Sequence, residues 1–261
     1  MTPNYPPIIF AGAGPGDPEL ITVKAANILK TADLIIYAGS LVPEAVLCWK
    51  GNTTQTISSA DMTLEEIIST MEQAVLAGQK VVRLHTGDPS LYGAIFEQIR
   101  ELEIRKIPYQ VIPGVTAAFA AAASMGLEYT LPEMTQTLIL TRMAGRTPVP
   151  EKERLELLAA HQSSMAIYLS VGMIHEVQVI LAKHYGESSI CAVAYKVSHP
   201  EETVIYTRVG DLAHTCETNK IIRHALIIVG KAVEAKSDQR ELTKSKLYDA
   251  GFSHGYRRKN Q

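Results

Sequence analysis

The stretch Ile8-Ile9-Phe10-Ala11-Gly12-Ala13-Gly14-Pro15-Gly16-Asp17-Pro18-Glu19-Leu20 decides the fold. An apolar, strand-like run enters two glycines and a Gly16-Asp17-Pro18 turn, and a helix-like segment follows. The same arrangement returns in Val81-Val82-Arg83-Leu84-His85-Thr86-Gly87-Asp88-Pro89-Ser90-Leu91-Tyr92-Gly93-Ala94. Both turns are therefore expected at the carboxyl ends of strands in one sheet, the edge at which open α/β sheets bind ligands.

Gly12 and Gly14 after a strand look like the start of a dinucleotide fingerprint. The remainder of that fingerprint is missing. Asp17 stands where the third glycine belongs, and an acid at a helix start repels a pyrophosphate. Pro15 and Pro18 remove two amide donors. The next strand, Leu34-Ile35-Ile36-Tyr37-Ala38, runs into Gly39-Ser40 with no acid to hold a ribose diol. Asp17 is better read as the cap of a helix that begins at Pro18. One such turn alone would be read as structural.

The chain has 261 residues, enough for one large domain or two moderate ones. With 25 basic and 27 acidic residues its net charge is -2, which gives no reason to expect nucleic acid or an anionic membrane as partner. Cys48, Cys191 and Cys216 are odd in number and far apart, without the spacing of a disulfide framework or a zinc site. A reducing cytoplasm is the expected setting. No apolar run approaches the roughly 20 residues that span a bilayer, and a start with Pro3, Pro6 and Pro7 does not read as a signal peptide.

Strands are predicted over 8–12, 34–38, 80–85 and 109–112, with helices over 18–30, 64–77, 91–103 and 116–125. The helix from Leu64 is the plainest, with Leu64, Ile67, Ile68, Met71 and Val75 on one face, a Thr63/Glu66 capping box and Gly78 beyond its end. Alternating strands and helices imply a mostly parallel first sheet. A domain break is placed near residue 131, giving domains 1–131 and 132–235 and an extended tail from 236 to 261. The second domain is predicted to hold strands 137–141, 165–170, 190–195, 203–209 and 225–230 and helices 151–161 and 172–185. Its strands come in succession, so a mixed sheet is expected.

Four segments give the chain a family likeness: Gly12-Ala13-Gly14-Pro15-Gly16-Asp17-Pro18, Gly87-Asp88-Pro89-Ser90, Pro113-Gly114-Val115-Thr116-Ala117 and Ala225-Leu226-Ile227-Ile228-Val229-Gly230-Lys231. Over nearly its whole length it resembles the tetrapyrrole methylases, the class III S-adenosylmethionine methyltransferases. Three further segments resemble the branch that methylates C-11 of precorrin-4 or its cobalt form: Tyr37-Ala38-Gly39-Ser40-Leu41-Val42-Pro43, Arg142-Met143-Ala144-Gly145-Arg146-Thr147-Pro148-Val149-Pro150, and Ser245-Lys246-Leu247-Tyr248-Asp249 with Phe252-Ser253-His254-Gly255.

The resemblance implies two α/β domains with an active-site cleft between them, a homodimer, and S-adenosylmethionine as methyl donor. It implies cofactor contacts at Pro15, Thr86, Gly87, Asp88, Leu91, Thr116 and Ala117, and in the second domain at Leu169, near Lys196, and at Ala225 and Leu226. Gly87 permits close backbone approach, and the loop's amides and carbonyls can bond the cofactor. Asp88 can bond its amino group or cap the following helix. The implied acceptor, a tetrapyrrole rich in carboxylates, calls for basic groups, and Arg142 and Arg146 are the candidates. Asp17 and Tyr92 are added as lining residues. Leu169 stands where some relatives carry methionine.

Other chemistries find little support. Ala122-Ala123-Ser124-Met125-Gly126 mimics a nucleophile elbow but ends a helix. None of the eight histidines forms a metal pair at helical spacing with a suitable acid, and His85, beside the second turn, reads as a packed strand residue. No metal site and no catalytic base is nominated. A sibling methylase acting on uroporphyrinogen III or another precorrin, and a non-catalytic tetrapyrrole carrier, are the competing functions.

Overall fold

The computed structural model describes residues 5–39 and 41–238, together with Ser245, Phe252, Ser253 and Gly255. It divides into two compact units, residues 1–120 with 197–201, and residues 121–196 with 202–261. The division falls inside the alanine helix, ahead of residue 131.

In the first unit, β1 (Ile8–Gly12), β2 (Leu34–Tyr37), β3 (Gln55–Ser58), β4 (Val81–His85) and β5 (Tyr109–Ile112) form a sheet of order β3-β2-β4-β1-β5. Every pairing is parallel. Strand parity assigns its two faces. Ile8, Phe10, Leu34, Ile36 and Val81 pack with α2 (Leu64–Leu76) and α3 (Ile95–Ile104). Ala11, Ile35, Val82 and Leu84 pack with α1 (Val23–Thr31) on the other face. Fully buried side chains such as Phe10 and Ile68 contribute about 1.5–3 kcal/mol each.

Two predicted helices start later than their sequence pattern. The one expected from residue 18 is a 3-10 turn, Pro18–Leu20, followed by extended backbone and then α1. Thr22 is the cause, since its hydroxyl accepts the Ala25 N–H at 3.2 Å and caps a new helix. The one expected from residue 91 starts at Ile95, because Tyr92 and Ala94 are left-handed (φ +56 and +49) and cannot be helical. Strand β3 escaped the sequence reading because an edge strand this exposed carries little apolar pattern.

The second unit holds β6 (Leu138–Arg142), β7 (Ser164–Tyr168), β8 (Ile190–Tyr195), β9 (Thr203–Arg208) and β10 (Ala225–Val229), in the order β6-β7-β10-β8-β9. The sheet is mixed, with β6 and β7 parallel and the other pairings antiparallel. Its core joins Met165, Ile167, Val193 and Ile227 to Leu155 of α5 (Leu155–Ala159), Val177 and Leu181 of α6 (Ile174–Tyr185), and Leu212 of α7 (Leu212–Thr218). Alanine helix α4 (Ala117–Met125) spans the division between the units.

The helix expected over 151–161 is a 3-10 turn, Glu151–Glu153, followed by α5. Helix α8 (Lys231–Asp238) corrects the expected tail start at 236, because its buried Ala232, Val233 and Ala235 anchor a helix that carries on through Lys236. Most of the remaining tail, residues 246–249 and His254 among it, lies outside the described residues, as does Ser40. Among the described residues no helix is long and apolar enough to cross a membrane.

Candidate functional site

Parallel strands β4, β1 and β5 are neighbours, so their carboxyl ends bring the Gly87, Gly14 and Gly114 turns together. Gly14 and Gly87 form a two-way bridge, in which the Gly87 N–H donates to the Gly14 carbonyl at 2.8 Å and the Gly14 N–H donates to the Gly87 carbonyl at 3.3 Å. A Cβ on Gly12 would lie 2.6 Å from the Gly114 Cα and from the Gly87 oxygen. A Cβ on Gly114 would lie 2.0 Å from that same oxygen. The glycines therefore let backbone meet backbone, and the Gly87 amide is consumed inside the cluster instead of standing ready for a ligand.

Asp88 does not cap the following helix, which starts only at Ile95. Its carboxylate accepts the Ser90 N–H at 2.8 Å and the Gly114 N–H at 2.9 Å, so it caps its own turn and ties that turn to the loop after β5. Asp17 does act as a cap, of the short turn from Pro18, accepting the Glu19 N–H at 2.8 Å. The Asp17 N–H donates to the Ser198 hydroxyl at 3.0 Å. Thr116 is buried, and its carbonyl accepts the Phe119 and Ala120 amides at the head of α4.

Beside these turns lies a cavity of about 260 Å³, whose lining includes Arg83, His85, Thr86, Leu91, Tyr92 and Gln98. His85 is 3% exposed and stacks on Phe10 with 5.9 Å between ring centroids. Burial and the Arg83 charge pull its pKa down to about 3, so it is neutral at ordinary pH. The sequence reading made it a packed strand residue, and it is packed. Arg83 and Gln98, which line the same cavity, were not singled out in the sequence. A cationic residue inside the apolar run of a parallel strand was the available signal, because such strands read as near-continuous hydrophobics.

In the second unit, register gathers the other candidates at one edge of the sheet. Arg142 pairs Tyr168, and Ala225 pairs Tyr195, so Leu169, Lys196 and Leu226 lie at the same edge. Leu169 and Lys196 both take left-handed backbone (φ +52 and +45), and strain of this kind clusters at functional sites. The Lys196 N–H donates to the His224 carbonyl at 2.8 Å. The two arginines differ. The Arg142 guanidinium donates to the carbonyls of Thr147 at 3.1 Å and Pro148 at 2.8 Å, so it shapes its own loop, whereas Arg146 is exposed on that loop.

A parallel sheet ending in interlocked glycine turns, followed by a mixed sheet, makes this a two-unit α/β protein. Residues 7–213 match the model for Tetrapyrrole (Corrin/Porphyrin) Methylases, and the chain belongs to that family. It is 49% identical over 259 residues to a cobalt-precorrin-4 C(11)-methyltransferase of Methanocaldococcus jannaschii, covering 99% of this chain and 98% of that one. It is 44% identical over 251 residues to a precorrin-4 C(11)-methyltransferase of Pseudomonas aeruginosa, covering 96% and 98%. The crystal structure of a cobalt precorrin-4 methyltransferase superposes with a TM-score of 0.84 at 42% identity, covering 87% of this chain and 95% of that one. A uroporphyrin-III C-methyl transferase of Thermus thermophilus, complexed with S-adenyl homocysteine, gives 0.73 at 26% identity, covering 88% and 99%.

Proposed function

We infer that this chain is an S-adenosylmethionine-dependent methyltransferase that methylates C-11 of precorrin-4 or cobalt-precorrin-4, in cobalamin biosynthesis. The observation that carries this reading is the 49% identity held across 99% of the chain to a relative with that name. The relative solved with S-adenyl homocysteine supports the cofactor. Gly12 and Gly114 let the turns after β1, β4 and β5 lock backbone to backbone, which fixes the carboxyl edge of the first sheet, the edge at which open α/β sheets bind ligands.

Bound there, S-adenosylmethionine supplies a methyl group already activated on a sulfonium sulfur. What remains for the chain is binding and alignment, which contributes up to about 7–11 kcal/mol when geometry is good. Pro15, Thr86, Gly87, Asp88, Leu91, Thr116 and Ala117 are assigned to hold the cofactor, as are Leu169, Lys196, Ala225 and Leu226. Arg146, with Asp17 and Tyr92, is assigned to the tetrapyrrole. Arg142 supports the Arg146 loop. The reading includes a homodimer and a cytoplasmic setting.

The test is mass spectrometry of the tetrapyrrole after incubation with methyl-labelled S-adenosylmethionine and either metal-free or cobalt precorrin-4. One added label is expected. No label with either acceptor, from protein that binds S-adenosylhomocysteine, would move the function to a sibling substrate or a carrier.

A further inference from the structure

Arg83 poses a problem that the reaction above does not use. Its side chain is 5% exposed, yet among the described residues no carboxylate pairs with it. Its Nε donates to the Gln98 Oε1 and one terminal nitrogen to the Ile36 carbonyl, both at 3.2 Å. A guanidinium carries five N–H donors, so these two bonds leave it under-used. Gln98 is itself fixed, because its Nε2 donates to the carbonyl of left-handed Ala94 at 3.0 Å and turns its oxygen to Arg83. Beside it, the Nε2 of buried His85 has no hydrogen-bond partner. Arg83, His85 and Gln98 all line the cavity of about 260 Å³. That space is below the roughly 300–1,000 Å³ of sites that enclose a whole drug-sized ligand, but it has room for one arm of a larger molecule.

We propose that this cavity is a carboxylate subsite, in which Arg83 and His85 take one acid side chain of the tetrapyrrole and Gln98 holds Arg83 in position. A buried unpaired cation is costly, and a carboxylate supplies the missing charge and acceptors together. Exposed Glu97 lines the same cavity and opposes an incoming anion, which gives the proposal a sign to test. This assignment rests on the tetrapyrrole reading.

The test uses the full chain with propionate as probe and propionamide as its neutral isostere, read by the His85 ring nitrogen shifts and by melting temperature. Propionate is expected to give a saturable shift of His85 and a stabilisation that propionamide does not give. Glu97→Gln is expected to tighten propionate binding by about two- to fivefold. Arg83→Met is expected to weaken it by about tenfold or more. His85→Gln, read by melting temperature, carries the same expectation in a weaker form should Arg83→Met not fold. In methyl transfer, His85→Gln is expected to raise KM for the tetrapyrrole with little change in kcat. No saturable response, an equal response to propionamide, or weaker binding in Glu97→Gln would overturn the subsite. Propionate binding is read without catalysis, so a protein that binds it but transfers no methyl would overturn the functional reading and leave an anion site in place.

Discussion

Asp88 and Gly114, 26 residues apart in sequence, are joined by a 2.9 Å hydrogen bond from the Gly114 amide to the Asp88 carboxylate. The second carboxylate oxygen holds the Ser90 amide, so one side chain fixes the turn after β4 and its distance from the loop after β5. Hydrogen bonds to a charged group contribute about 1.5–3 kcal/mol each. Asp88→Ala is expected to lose about 2–4 kcal/mol of stability, discounted for the exposure of the Ser90 bond, and to weaken S-adenosylhomocysteine binding by about tenfold or more. Chemical denaturation and calorimetry check the two effects. Unchanged ligand affinity would show that the turn is not a cofactor element.

The glycine contacts give a sharper contrast. Gly114→Ala would place a methyl 2.0 Å from the Gly87 oxygen, with backbone on both sides and nothing flexible to move. Gly172, by comparison, has open space where its Cβ would go. Denaturant midpoints should show Gly114→Ala losing about 3 kcal/mol or more and Gly172→Ala staying within about 1 kcal/mol of wild type.

Both arginines were nominated from sequence as substrate candidates, and pattern gave no way to tell them apart, because the carbonyls that engage Arg142 come from the folded path of its own loop. Arg146→Met is expected to raise KM for the tetrapyrrole about tenfold, with S-adenosylhomocysteine affinity unchanged. Arg142→Met is expected to cost stability as well. Equal thermal and kinetic behaviour of the two variants would contradict the division.

Much of the first unit could be read directly. The Gly-Asp-Pro turns, the Thr63 capping box and the mostly parallel sheet all follow from local pattern, and the box is present with both of its hydrogen bonds. What escaped was decided by neighbours distant in sequence. Asp88 offered a helix cap because its Gly114 partner lies in the loop after another strand, distant in sequence. The break between Leu20 and Val23 depends on which of two capping residues wins, and residues 92–94 are held off the helix by left-handed backbone that Gly93 alone did not announce. In the second unit, α7 is too short and polar to show a period, whereas Leu169, the neighbourhood of Lys196 and Ala225 were named through the family likeness alone, and only strand register brings them to one edge.

His85 gives a pH dependence whose sign is fixed. Its folded pKa is depressed to about 3 from the ordinary 6.5, so between those values the unfolded chain binds the extra proton. Stability is therefore fully present above about pH 6.5 and falls as pH drops towards 3, by on the order of 3–5 kcal/mol for this group. Denaturant melts from pH 4 to 7 should show a shallower slope in His85→Gln. An identical slope would mean that the imidazole is not the buried neutral group described.

The central claim concerns one carbon, and one measurement addresses it. Carbon-13 NMR of the tetrapyrrole formed with 13C-methyl S-adenosylmethionine locates the new methyl on the ring. The account predicts a single labelled methyl on C-11 from precorrin-4 or its cobalt form. A labelled methyl on any other ring carbon would contradict it.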